Sequence, residues 1–150
     1  MRPIISPVSP FWWRWLVVAN SLFVVFCMAL LVTPGLAQQY FNLLFFGALG
    51  FPPSFPAEAV SYITFIYGVM GAVMLGWAVV LYYLILKPFR RGQIEGWHAL
   101  AISLGVWFIA DSALSVISGR PANVVQNLVL ALMYAIPLAK TYKAFRIMTD

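Results

Sequence analysis

The sequence predicts an all-α fold, an integral membrane bundle of four transmembrane helices with both termini in the cytoplasm. Of its 150 residues, 63% are hydrophobic and only 9% are charged, whereas soluble domains carry about 25% charged residues. The apolar residues also form four long blocks, each near or above the ~20 residues that a helical crossing needs. Because lipid offers the backbone no hydrogen bonds, each block is expected to be helical.

Turn-forming and basic residues separate the four blocks. Thr33-Pro34-Gly35 ends the first block, Lys87-Pro88 ends the second, and Gly119-Arg120-Pro121 lies between the third and fourth. The residues after Ala139, up to Arg146, can extend the fourth helix along the membrane surface. We therefore predict one transmembrane domain over residues 1–150, with helices at about 11–32, 58–86, 96–117 and 122–139 and an outer loop at 33–57.

The nine Lys and Arg residues predict the orientation of these helices. Eight of them flank one side of the four-span arrangement: Arg2, Arg14, Lys87, Arg90, Arg91, Lys140, Lys143 and Arg146. The outer loop has no basic residue, and the last connection has only Arg120. Because cytoplasmic loops carry an excess of Lys and Arg, both termini and the loop at 87–95 are predicted to be cytoplasmic. The net charge of +5 then predicts contact with membrane lipids as partners, and no nucleic acid.

The N-terminus leaves one alternative open. Arg2, the apolar run after it, and Pro34-Gly35-Leu36-Ala37 are also the pattern of a signal peptide with a cleavage site. The length of the run and its many aromatic residues favour a retained helix. Cleavage of residues 1–37 would leave three spans and an N-terminus outside the cell.

The outer loop has two interpretations. Its apolar part, residues 40–51, is too short to cross the bilayer. We favour an interfacial cap on the bundle, and the alternative is a lid over an outer cavity.

Small residues recur at spacing four on two of the predicted helices. One set is Gly68, Ala72 and Gly76, and the other contains Ala131 and Ala135. Small residues let helices approach closely in lipid, so both sets are predicted to be helix-packing positions. Packing within the bundle is the simpler prediction. A homo-oligomer or contact with other membrane subunits is the alternative.

Asp111 is the acidic residue that lies well inside an apolar block. A carboxylate within the membrane is costly, so it is expected to face protein or water. We predict a polar cluster in the outer half of the bundle, consisting of Asp111, Glu58, Arg120, Asn123, Asn127 and Ser115. One interpretation is that the cluster pins helices together. The other is that it holds a small ligand, an ion or a proton.

The sequence lacks the signatures of common enzymes. It has no GxSxG, HExxH, Walker A or GxGxxG pattern. His98 precedes Asp111 by thirteen residues, about 20 Å along a helix, so a catalytic pair is not expected. A single Cys and a single His also argue against a cysteine zinc site or bis-histidine haem within one chain. We therefore predict no catalytic residues, no metal and no cofactor. These patterns favour a non-enzymatic protein.

Four segments of the C-terminal half carry a resemblance. They are Lys87-Pro-Phe-Arg-Arg-Gly, Gly96-Trp-His-Ala-Leu, Trp107-Phe-Ile-Ala-Asp-Ser and Gly119-Arg-Pro-Ala-Asn-Val-Val-Gln-Asn. This half resembles small four-span bacterial membrane proteins of unknown function, which implies a multi-pass protein of the bacterial inner membrane. The leading prediction is a non-enzymatic structural, accessory or self-associating bundle. The alternative is a small transporter or lipophilic-ligand binder that uses the cluster around Asp111.

Overall fold

The computed structural model describes residues 8–52 and 54–147, and within those ranges every regular element is helical. The elements are α1 (Pro10–Val32), α2 (Pro34–Phe46), α3 (Ala57–Leu84), a π-helical turn (Ile85–Phe89), α4 (Ile94–Ile117) and α5 (Pro121–Arg146). Arg2, which contributes to the charge argument, lies outside the described residues, and so does Pro53 of the outer loop.

Four of these helices are long and apolar enough to cross a membrane: α1, α3 together with the π-helical turn, α4 and α5. The prediction of an all-helical chain with four helices long and apolar enough to span a membrane is thereby confirmed for the described residues. Helix α5 runs to Arg146, seven residues beyond the predicted apolar span. Its last two turns still bury Thr141 and Phe145, which explains why the helix continues after the apolar block ends.

The outer loop contains the short helix α2. Pro34 occupies its first turn, where a missing backbone N–H costs nothing. Gly47 ends it with a φ of 69°, and the Gly47 N–H donates to the carbonyl of Leu43. Glycine adopts this left-handed conformation without a Cβ penalty. The 13 residues of α2 are too few to cross the bilayer, as the sequence predicts.

The described residues form two compact units. The α2 unit comprises Leu22–Val79, and the α4–α5 unit comprises the described residues up to Ser21 and from Val80 onward. In the α2 unit, Leu30, Ala37 and Phe41 form a buried apolar core. The ring of Phe41 stacks on that of Tyr67 at 5.0 Å, and the Thr64 hydroxyl donates to Gln38 Oε1. These contacts hold α2 against α3.

A close helix crossing in the α2 unit depends on Gly71. A Cβ added there would lie 2.7 Å from the backbone N of Leu31 and 2.9 Å from the carbonyl O of Cys27. The predicted packing positions Gly68 and Gly76 instead have no heavy atom within 4 Å of their Cβ positions, and Ala72 is exposed. Within the described chain, Gly71, which lies beside the predicted stripe, therefore makes the close approach of α3 to α1. The packing role of the stripe itself stays a prediction.

The connection from α3 to α4 is built around Pro88. Because proline has no N–H, it interrupts the regular ladder of an α-helix, and here the chain widens into the π-helical turn. The Arg90 N–H donates to the Ile85 carbonyl at 3.2 Å. Gly96 packs directly on this turn, since an added Cβ would lie 2.7 Å from the backbone N of Phe89. The Phe89 ring in turn contacts that of Phe145 at a centroid distance of 5.0 Å.

Candidate functional site

Polar side chains join α4 to α5 near the turn between these helices. Asn123 Nδ2 donates to Asp111 Oδ1 at 3.2 Å and to Ser115 Oγ at 2.8 Å. Asn127 Nδ2 lies 3.4 Å from Ser112 Oγ, to which it donates. We call these five residues the polar clasp. Each of these hydrogen bonds crosses from one helix to the other.

Helical spacing and a tight turn position the polar clasp. Asp111 and Ser115 are four residues apart on α4, and Asn123 and Asn127 are four apart on α5, so each pair lies on one face. Gly119 provides the turn with a φ of 69°. The Ser115 hydroxyl donates to the backbone carbonyl of Asp111 at 2.6 Å, which leaves its oxygen lone pairs to accept from Asn123.

The structure brings together part of the predicted cluster. Asp111, Ser115 and Asn123 are in direct contact, and Asn127 joins α4 through Ser112, which the sequence prediction did not include. Arg120 lies at the N-cap of α5, where its backbone N–H donates to the Ser115 carbonyl at 2.8 Å. Membership of the Arg120 side chain in the cluster stays a prediction.

Glu58 belongs to the other compact unit. It is exposed in the first turn of α3, where the positive end of the helix dipole favours an acidic side chain. Its predicted place in the cluster around Asp111 also stays a prediction.

The chemistry open to the polar clasp is limited by its composition. Its five side chains supply one carboxylate, two hydroxyls and two amides. Among residues 8–52 and 54–147, no group of three or more His, Cys, Asp or Glu side chains is placed to hold a metal ion. His98 is exposed near the start of α4, with its ring against that of Trp97. The arrangement is suited to holding helices together and to presenting one half-buried carboxylate.

An apolar groove of about 660 Å³ lies between α4 and α5. We call it the α4–α5 groove. Small residues line it on both helices: Ala101 and Gly105 on α4, and Ala131, Ala135 and Ala139 on α5. Nothing lies within 4 Å of a Cβ placed on Gly105. The predicted packing positions Ala131 and Ala135 therefore line an open groove in this unit.

Two aromatic rings lie at one end of the α4–α5 groove. Trp97 and Tyr142 have ring centroids 5.0 Å apart, and both line the groove. Trp97 Nε1 donates to the backbone carbonyl of Leu138 at 2.9 Å. The indole N–H of Trp97 thus links α4 to α5, and the apolar ring of Trp97 contributes to the lining of the groove.

Sequence reasoning missed a second set of polar contacts in the α4–α5 unit. Asn20 is fully buried in α1, and its Oδ1 accepts from the Tyr134 hydroxyl at 3.1 Å. The hydroxyls of Ser21 and Tyr82 also hydrogen-bond to each other. A signal was present, because Asn20 and Ser21 interrupt an otherwise apolar stretch between Trp15 and Val32. Polar residues inside a membrane helix commonly face other helices.

The basic connection contacts the start of α1. The Arg90 guanidinium lies 4.4 Å from the centroid of the Trp13 ring, a cation–π geometry. A small pocket of about 210 Å³ is lined by Val8, Pro10, Trp13, Arg14 and Arg90. Aromatic and basic residues in this combination are typical of the head-group level of a membrane.

Comparisons with family models, curated proteins and solved structures found no match. The resemblance to small four-span bacterial proteins therefore stays a prediction.

Proposed function

We propose that this chain is a non-enzymatic protein of the bacterial inner membrane, with both termini in the cytoplasm, that works as a self-associating or accessory bundle. The observation that carries the proposal is the stripe formed by Gly68, Ala72 and Gly76 on α3. Gly68 and Gly76 have open space where a Cβ would point, and Ala72 is exposed.

Such a stripe supports helix association in a membrane. Lipid gives no hydrophobic driving force between helices, so association depends on close van der Waals packing, and small residues permit it. Large exposed side chains lie beside the stripe, including Phe65 and Val69. A second helix packed on this face would contact the small residues at short range and these larger side chains beside them.

The polar clasp supports a structural role in place of catalysis. Its amides donate to the hydroxyls and the carboxylate of the facing helix, so these groups serve to fix the α4–α5 pair. Interhelical hydrogen bonds of this kind contribute about 0.6 kcal/mol each on average in a membrane protein.

The double variant Gly68→Leu, Gly76→Leu tests self-association. We expect it to fold, because both positions are open within the chain, and to associate at least tenfold more weakly than the wild type. Förster transfer between labelled copies, measured in vesicles over a range of protein-to-lipid ratios, reports the association. Ile66→Phe is the control, because it adds bulk at a side chain that is also exposed, at 40%, on a face of α3 away from the stripe.

Two results would count against self-association through this stripe. One is a wild-type protein that shows no transfer above the random-encounter level at any ratio. The other is equal weakening by Ile66→Phe and by the double glycine variant. The protein would then act as an accessory subunit of a different membrane protein, and cross-linking in the native membrane would identify that partner.

A small transporter or lipophilic-ligand binder around Asp111 is the second candidate function. The observation that favours it is a carboxylate that lies inside a spanning helix and is only half-buried, since such groups often mark proton or ligand pathways. Asp111→Asn discriminates, because asparagine keeps an acceptor for Asn123 but cannot ionise. The structural role predicts unchanged thermal stability and no lost activity. The transport role predicts a folded protein that no longer carries proton flux into vesicles loaded with a pH-sensitive dye.

A further inference from the structure

We propose that the α4–α5 groove binds one acyl chain of an anionic phospholipid, whose head group is met by Lys143 and Arg146. This site is separate from the α3 stripe and from the polar clasp. It does not depend on whether the protein self-associates.

The length of the groove is closer to one leaflet of the bilayer than to its full thickness. The groove runs from Trp97 to Phe108 on α4 and from Leu128 to Tyr142 on α5, and those eleven and fourteen steps of about 1.5 Å give about 16 Å and about 21 Å. The hydrocarbon core of a bilayer is about 30 Å thick, so one leaflet supplies about 15 Å. A helix of a partner protein would run the full thickness, whereas a single acyl chain ends where this groove ends.

The lining of the groove favours a hydrocarbon occupant. Its lining combines Ala and Gly with larger apolar side chains, including Leu104, Phe108 and Leu132. The Trp97 N–H at its end is already bonded to the Leu138 carbonyl. The volume of about 660 Å³ lies within the range of roughly 300–1,000 Å³ that is usual for small-molecule sites.

The aromatic end of the groove marks the head-group level. Trp and Tyr concentrate where the hydrocarbon meets the polar region of a membrane, and Trp97 and Tyr142 occupy this end. A chain lying in the groove would therefore place its head group just beyond these two rings.

Basic residues continue the groove face of α5 past this end. Lys143 follows the groove residue Ala139 by four positions, and Arg146 follows Tyr142 by four, so both lie near the same helical face. Both residues are exposed. Lys140 is also exposed but follows Ile136 on a different face of α5. Lys143 and Arg146 outnumber Glu95, the acidic residue in the first turn of α4 at the same end. This balance of charge favours an anionic head group over a zwitterionic one.

Native mass spectrometry of the full chain tests the site. The protein is reconstituted in nanodiscs of equimolar palmitoyl-oleoyl phosphatidylglycerol and palmitoyl-oleoyl phosphatidylcholine, then released in mild detergent. We expect one retained lipid per chain, with phosphatidylglycerol enriched over phosphatidylcholine. Lys143→Gln and Arg146→Gln should each lower the enrichment about fivefold, whereas Lys140→Gln, with the same loss of charge, should leave it unchanged.

Groove-filling variants test the acyl-chain part of the proposal. Gly105→Leu and Ala135→Leu place side chains in the open volume and should abolish lipid retention without loss of helical content. Loss of enrichment in Lys140→Gln equal to that in Arg146→Gln would overturn the head-group assignment. Full lipid retention by folded Gly105→Leu and Ala135→Leu would overturn the groove assignment. So would a disulfide-linked dimer formed by Ala135→Cys in a Cys27→Ala background, because it would place a second copy in the groove.

The mass spectra distinguish lipid binding in the groove from self-association of the protein. The same spectra report the number of chains in each complex, so the Gly68→Leu, Gly76→Leu variant should lose dimers while each monomer still retains its lipid. Lipid lost in step with dimers would overturn an independent groove site.

Discussion

At the scale of single residues, Gly96 carries a severe packing constraint. A Cβ on Gly96 would lie 2.7 Å from the backbone N of Phe89 and 2.8 Å from the Cβ of Pro88. Neither atom belongs to a flexible side chain that can move aside. We expect Gly96→Ala to lower the free energy of unfolding by about 1–3 kcal/mol, as overpacking does in other cores. Thermal unfolding in detergent, followed by circular dichroism, measures the effect.

Gly105→Ala is the matched control for that change. Gly105 lies in the same helix, and nothing lies within 4 Å of its Cβ position. Alanine is the better helix former by up to about 1 kcal/mol, so this variant should be neutral or slightly more stable. A melting temperature lowered equally by both substitutions would show that steric overlap at Gly96 is not the cause.

Residue patterns predicted some of the polar contacts and missed others. The sequence predicts a group that contains Asp111, Ser115 and Asn123, because these residues lie at helical spacing near one predicted turn. The contact of Asn20 with Tyr134 was not predicted, since the two residues are 114 positions apart. Periodicity shows which face of a helix a residue lies on. Its hydrogen-bond partner on another helix depends on how the two helices pack, and a single sequence does not specify that packing.

At the scale of helices, α5 tolerates a proline in its interior through a contact with α1. Pro137 cannot donate to the Met133 carbonyl, and an unsatisfied carbonyl is costly in a membrane. Trp15 Nε1 donates to this carbonyl at 2.8 Å. We therefore expect Trp15→Phe to destabilise the protein by about 1–2 kcal/mol, through loss of this hydrogen bond and some packing.

A double-mutant cycle separates the hydrogen bond from the packing. In a Pro137→Ala background, the alanine N–H can satisfy the Met133 carbonyl along the helix, so Trp15→Phe should cost clearly less there than in the wild type. Unfolding in a mixed-micelle denaturation series gives the four free energies. Trp12→Phe serves as an aromatic control on the same helix. An identical cost of Trp15→Phe in both backgrounds would contradict the proposed role of the indole.

Helix content was more predictable than the detail of helix ends. Hydropathy identified four spans because the bilayer imposes both length and helical structure on an apolar block. Hydropathy predicts the residues of helix α2 only as part of the outer loop, because its apolar run is too short for that constraint. Its position depends on contacts such as Phe41 on Tyr67. The π-helical turn is also not predicted by the sequence, since Pro88 indicates the end of an α-helix but not a π-helical turn.

At the scale of the whole molecule, the uneven charge distribution predicts which loops face the cytoplasm. The loop at 87–95 has three basic residues, and the turn between α4 and α5 has only Arg120. Positively charged loops are retained on the cytoplasmic side during insertion. Gln93 and Ser118 are exposed, one in each connection, and neither is charged. Cysteine at these sites therefore reports orientation without altering the charges that set it.

We expect a membrane-impermeant maleimide to label Ser118→Cys in intact cells and Gln93→Cys only after the membrane is opened. The native Cys27 is fully buried, so the wild-type protein supplies an unlabelled background. Labelling of Gln93→Cys in intact cells, with protection of Ser118→Cys, would reverse the topology. It would then place the basic end of α5, and with it Lys143 and Arg146, at the outer leaflet. The lipid site would keep its chemistry but draw on a different pool of lipid.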